Sequence, residues 1–422
     1  MGYKSLVASL TLVACVGIPL HADALHPSSA CRKAGLSRTT NGFKFTCVKS
    51  GKKLVWSKGV AAKTGATAAL HPSSACRKAG LSRTTNGFKF TCVKSGKKLV
   101  WSKGVAAKTG ATATTTTTTI PPSPTSFSNL VENYKGISYA AWLKSSEKVQ
   151  ISRSASIEVN VVLGPTTKQT YSTPEKAFAL VSKHYAGYLE PSRVDVLTFN
   201  FTDRDWAVRK MDELMPNKGS RWIYDVACSS ASNCGGGGAF SDGTNKFLVV
   251  IATDALDDLH KEGTLEAHEF THVIQQAVMK AGNPWPLVHP WPPSWYWEGQ
   301  AEYTQNAAMF FESFDMYTKR RRDVLSELFR NSTFDKAYIE SYLVINGLDD
   351  WRKAHHQWRQ YDLGSMFVEI LTALKGPDST MEMWRLAQTG VGFSDAFRQI
   401  YGTSFESALP IMAEAMALQL GR

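Results

Sequence analysis

Apolar residues after position 126 follow two different periods. Short runs rich in Val, Ile, Leu and Phe at 157–163, 194–201, 221–226 and 247–251 predict strands, the last continuous enough to be buried on both faces. Between them, 174–188 and 205–214 carry apolar residues three and four apart, which predicts amphipathic helices. Thr173-Pro174 reads as an N-cap followed by proline at the first helical position. Residues 264–280 lack Gly and Pro and read as a helix, and beyond residue 298 nearly every pattern is helical. Gly235–Gly238 reads as a flexible turn, with a rival reading as a glycine-rich edge that a substrate backbone could approach.

The chemistry sits on the 264–280 helix, as His268-Glu269-Phe270-Thr271-His272. Residues four apart on a helix share one face, so the two imidazoles converge and can bind one cation at about 2.0–2.1 Å each. Glu269 lies about 100° around the helix from His268, beside the cation, where it can take a proton from the attacking water. Catalytic zinc takes three protein ligands and leaves one position open. Glu298, in Trp295-Tyr-Trp-Glu-Gly-Gln-Ala-Glu302, stands 26 residues past His272 and is the candidate third ligand. Metzincin spacing fails, because Gln275 and Val278 stand where that pattern needs Gly and His.

The segments HEFTHVIQQ and WYWEGQAEY resemble the gluzincin metallopeptidases of the peptidase MA-like group, over roughly residues 245–405. The resemblance implies zinc held by His268, His272 and Glu298, with Glu269 as general base. It implies a zincin-like fold of class α+β: a mixed-sheet lobe ahead of the zinc helix, a helical lobe behind it, and a cleft between. Glu302, one turn past Glu298, becomes the candidate that orients a ligand imidazole. Tyr361, in Tyr361-Asp-Leu-Gly364, resembles the family's phenol that donates to the oxyanion; His355 or His356 could supply that donor instead, while His260 and His289 read as loop histidines. The Gly-x-Met-Glu-Asn segment by which aminopeptidase relatives hold a free amino terminus is absent, so exopeptidase action is not implied.

The N-terminus is organised differently. Residues 1–24 read as an export signal, with Lys4, an apolar run, and Ala22-Asp23-Ala24 for cleavage. A lipobox ending at Cys15 is the rival, disfavoured because the apolar run continues past it. No other run approaches the roughly 18 apolar residues of a membrane helix. Residues 24–68 and 69–113 are identical, giving two small β-rich repeats, 25–68 and 69–113. Phe43–Cys47 and Lys53–Trp56 read as paired strands turning at Asn41-Gly42 and Ser50-Gly51. The pairs Cys31/Cys47 and Cys76/Cys92 read as disulfides in an exported chain, each closing a loop of about 15 residues and contributing roughly 3 kcal/mol. Cys228 and Cys234 are close enough in sequence to form a third. The repeats are similar to short Cys-paired modules of exported actinobacterial proteins.

Charge separates the two parts. Each repeat has nine Lys or Arg and no acidic residue, so the pair contributes +18 to a chain of net charge +12; with Lys4 and Asp23 cancelling, residues 114–422 carry −6. Such repeats favour an anionic cell-wall polymer or another polyanion rather than a specific nucleic acid. Trp56 and Trp101 could stack on sugars, though a tiny module needs them as core anchors. Residues 114–126, Thr- and Pro-rich, read as an extended linker, and 127–422 as the peptidase domain. The expectation is a secreted or cell-wall-associated zinc peptidase acting on peptide or protein substrates. The rival is a binding protein on a zincin scaffold without turnover, and the repeats could alternatively act as a pro-segment over the cleft.

Overall fold

The computed structural model describes residues 121–422, apart from 154–155, 189–190, 244, 281–291 and 345–355, and, in the N-terminal region, 37–40, 43–50, 53–56, 60–61, 79, 82–85, 88–95, 98–102 and 105–106. The readings made for the signal segment with Cys15, for Cys31, Cys76, His289 and His355, and for residues 114–120 fall outside these residues. The chain divides into two compact units, Met1–Thr116 and Thr117–Arg422. Among the described residues no helix is long and apolar enough to cross a membrane.

In the first unit the two repeats form matching antiparallel sheets. Strands β1 (Ser37–Thr40), β3 (Lys53–Trp56) and β4 (Val60–Ala61) all pair with β2 (Phe43–Ser50); β5 (Ser82–Thr85), β7 (Lys98–Trp101) and β8 (Val105–Ala106) pair likewise with β6 (Phe88–Ser95). Cys92 lies opposite Trp101 across β6 and β7, and both are buried, so this tryptophan is a core anchor. Cys47 and Cys92 are disulfide-bonded. Lys49, Lys53, Lys94 and Lys98 point to solvent.

The second unit is mixed α and β. Its helices are α1 (Ile137–Ile151), α2 (Pro174–His184), α3 (Arg204–Leu214), α4 (Thr264–Met279), α5 (Ser294–Met309), α6 (Phe314–Val324), α7 (Ser326–Arg330), α8 (Lys336–Leu343), α9 (Arg359–Lys375), α10 (Pro377–Gln388), α11 (Phe393–Tyr401) and α12 (Phe405–Gln419). A five-stranded sheet runs in the order β11 (Cys228–Ser230), β12 (Asn233–Ser241), β13 (Phe247–Thr253), β10 (Arg193–Phe199), β9 (Glu158–Leu163). β9, β10 and β13 are parallel; β12 runs antiparallel to β13. β10 and β13 are buried almost end to end, as parallel strands covered on both faces must be. Val194, Val196, Val249 and Ile251 pack into the main core with α2 and α4, while Leu197, Phe199, Val250 and Ala252 pack with α3 on the other face.

Three sequence expectations change. Residues 221–226 do not form a strand: Ile223–Ala227 is a short π-helix, with Ile223 and Ala227 buried one turn apart. A brief aromatic and β-branched run cannot distinguish the two by period alone. Thr173 makes no side-chain cap, although Pro174 does open α2. Gly235–Gly238 is not a turn but the middle of β12. Each flat glycine there meets a neighbour that a side chain would strike: a Cβ on Gly237 would lie 2.7 Å from Glu269 Cγ, and one on Gly238 2.8 Å from the Trp222 ring. Pro121 and Pro122, near the end of the expected linker, lie against the helical start of this unit, with the Pro122 carbonyl filling the space over Gly136. The expected third disulfide, Cys228–Cys234, is present and clips β11 to β12.

His184, on α2, is fully buried with neither ring nitrogen partnered, its ring edge-on to Tyr185 at 4.7 Å. Burial, helped by the Lys148 charge, pushes it down to about 3. An unfolded histidine titrates near 6.5, so between these values the unfolded chain binds a proton that the fold refuses. The stability held through neutral His184 is complete above about pH 6.5 and falls by roughly 1.4 kcal/mol per pH unit below it. In urea unfolding, His184→Phe should therefore gain on the wild type by about 1 kcal/mol between about pH 6 and pH 5. A stability difference that stays constant with pH would contradict this.

Candidate metal centre

All sixteen residues of α4 are buried, so the helix is held by contacts on every side. Phe270 stacks on Phe178 of α2 at 4.4 Å, and Gln276 Nε2 donates to the Ala239 carbonyl of β12 at 3.0 Å. These contacts fix the rotation of α4 and turn His268 and His272 together toward α5. Glu269 tucks under Gly237, where a Cβ would strike its side chain.

The three predicted ligands meet. His268 Nε2 and His272 Nε2 lie 3.3 and 3.1 Å from Glu298 Oε2, and 3.2 Å from each other. With Glu298 ionised, protons can bridge at most two edges of this triangle. Donors bound at about 2.0–2.1 Å to a tetrahedral cation stand roughly 3.3–3.4 Å apart, so the triangle fits one cation at its centre. His268, His272 and Glu298 form the group of the described residues able to hold a metal ion. Burial opposes charge on Glu298, but His272 and the hydrogen bonds from both histidines outweigh it and hold the carboxyl at about 2. Burial pushes His268 down to about 4, which keeps its imidazole neutral and free to ligate.

Around the triangle the structure sorts the remaining candidates. Burial overrides the pull of His272 and pushes Glu269 up to about 8, raising the proton affinity of a group placed to act as a base. Tyr361 reaches the site, its ring 5.9 Å from that of His268. Burial and the facing charges of Glu298, Glu269 and Glu302 hold its phenol well above the usual range, as a proton donor. His356 is exposed and accepts from the Trp358 backbone N–H instead. Glu302 faces His268 Nδ1 at 3.8 Å, too long for a hydrogen bond, while its Oε1 accepts from Gln305 and Asn306. His260, read as a loop histidine, bonds Asp257 at 2.7 Å, and that bond outweighs burial to raise its basicity.

Sequence reasoning missed the support behind His272. Its Nδ1 lies 2.7 Å from Gln275 Oε1, and its ring stacks on Trp297 at 4.6 Å with an 11° tilt. Gln275 stands three residues past His272 on the same helix face, a spacing that could have identified it. Comparison of the chain with protein-family models, with curated proteins and with solved structures finds no match.

Replacing Glu298 removes one corner of the triangle and its carboxylate. Purified Glu298→Ala should carry a small fraction of the wild-type metal when analysed by elemental mass spectrometry, with an unchanged circular dichroism spectrum. Full metal content in that variant would remove Glu298 from the ligand set.

Proposed function

We propose that this chain is an exported, zinc-dependent peptidase with a gluzincin-type catalytic unit of zincin-like fold. The observation that carries the reading is the convergence of His268, His272 and Glu298 on one point, with Glu269 beside it under the edge of β12. A zinc ion held there would polarise the scissile carbonyl and lower the pKa of the attacking water toward about 7. Glu269 takes the proton of that water and delivers it to the leaving amine. Tyr361 donates a hydrogen bond to the oxyanion. Beyond Cys234, β12 pairs only with β13 among the described residues, which leaves its other edge free for an extended substrate backbone. Gly237 keeps that edge close to Glu269.

The repeats complete the proposal as a tether. Lys49, Lys53, Lys94 and Lys98 lie on exposed strand positions, and the +18 of the pair suits an anionic cell-wall polymer outside the cell.

Glu269→Gln keeps the shape and removes the base. It should retain metal and lose at least a hundredfold in cleavage of an unstructured protein substrate, the order of a general-base contribution. Equal cleavage by wild type and variant would exclude Glu269 as the base, and cleavage by neither would favour a binding protein.

Deleting residues 25–113 should release the protein from cell-wall preparations and leave hydrolysis of a small soluble peptide nearly unchanged. Wall binding of the full chain should weaken with added salt, since screening limits exposed charges to about 8 Å at physiological ionic strength. A sharp rise in peptide hydrolysis on deletion would instead make the repeats a pro-segment.

A further inference from the structure

Four buried side chains behind His272 form a hydrogen-bond chain whose direction can be read from its ends. Trp384 Nε1, which can only donate, reaches Gln300 Oε1, and Gln300 Nε2 donates to Thr380 Oγ1 at 2.9 Å. The oxygen and nitrogen of the Gln300 amide are thereby fixed. Gln275 Nε2 then donates to Gln300 Oε1 at 2.8 Å and to the Trp297 carbonyl, which can only accept, at 3.1 Å. Gln275 therefore turns its Oε1 toward His272, and the 2.7 Å contact requires the proton on His272 Nδ1. Nε2, 3.1 Å from Glu298 Oε2 and 3.2 Å from His268 Nε2, is then the ring nitrogen turned to the centre of the triangle and the one that can ligate. Gln275, Gln300, Thr380 and Trp384 are essentially without solvent contact, so no water competes for these bonds.

We propose that Gln275 is the positioning residue of the metal centre, holding His272 as the Nδ1–H tautomer with Nε2 ready to ligate. The inference rests on His272 being a metal ligand. The same glutamine pins α4 to the Trp297 turn of α5, directly before Glu298. It thus fixes one imidazole and the carrier of the carboxylate together. His268 has no comparable hydrogen-bonded support, since its Nδ1 faces Glu302 at 3.8 Å.

Two substitutions separate orientation from mere packing. Gln275→Met keeps much of the volume and removes the acceptor; Gln275→Glu keeps an acceptor facing Nδ1. Nitrogen-15 spectra of the histidine rings in the full-length, metal-stripped protein, at about pH 8.5 where imidazole is ordinarily neutral, report the tautomer directly, with His272 assigned from the His272→Asn spectrum. The wild type and Gln275→Glu should show the Nδ1–H form, and Gln275→Met should lose it. Chelator competition should show zinc bound about 10- to 100-fold more weakly by Gln275→Met than by wild type, and within a few-fold of wild type by Gln275→Glu. An Nε2–H tautomer in the wild type overturns the proposal, as do equal losses in both variants or no loss in either. Should Gln275→Met not fold, the wild-type spectrum and the Gln275→Glu affinity still decide. A wild type that binds no zinc sinks the metal reading instead, and the tautomer comparison still decides the role of Gln275.

Discussion

Helices α5 and α9 touch backbone to backbone where Gly299 meets Gly364. A Cβ on Gly299 would stand 2.2 Å from the Gly364 carbonyl carbon, and one on Gly364 would stand 2.1 Å from the Trp295 carbonyl oxygen. Either side chain would force the helices apart, since backbone atoms on both sides cannot step aside as a flexible side chain could. Glu298 precedes the first glycine and Tyr361 lies one turn before the second, so this crossing sets the separation of carboxylate and phenol. It also carries Glu302, one turn on, to the flank of His268. The other half of the site hangs on α4, whose position against β12 is set by the third close approach, Gly237 over Glu269. Three missing side chains bring the two helical carriers and the strand within reach of one point.

Local pattern carried much of this. The period of 264–280 placed both histidines and Glu269 on one turn of helix, and the structure ends α4 one residue earlier than expected. Glu298 and Tyr361 were named from motif resemblance, and both stand beside the histidines. The supports were not legible in the same way. Gln275 acts through Gln300, and Gln300 through Trp384, residues 25 and 84 positions apart that only the packed core brings together. The role of Gly237 was hidden too, because a glycine run signals backbone freedom and cannot say which neighbour needs the space. The misread segments share one cause: at 221–226 and 235–238, burial against Phe240, Trp222 and Glu269 decided the conformation and local preference did not.

The two units differ in charge and in core. The repeats concentrate cations on small sheets, each with a buried, disulfide-bonded cysteine. The second unit is mildly acidic and buries two imidazoles, the carboxyls of Glu269 and Glu302 and the amide chain behind His272 around the candidate centre. Buried groups of this kind are costly unless partnered. Protons cannot bridge all three edges of the His268–His272–Glu298 triangle, a contact set that a cation could complete.

The most direct test is the metal dependence of cleavage by the full-length protein. The account predicts about one zinc per chain, as catalytic sites of this ligand set hold. Chelation should abolish cleavage of an unstructured protein substrate, and stoichiometric zinc should restore it. A chain that purifies and refills without any divalent cation, or that cleaves equally well after complete chelation, would contradict the account.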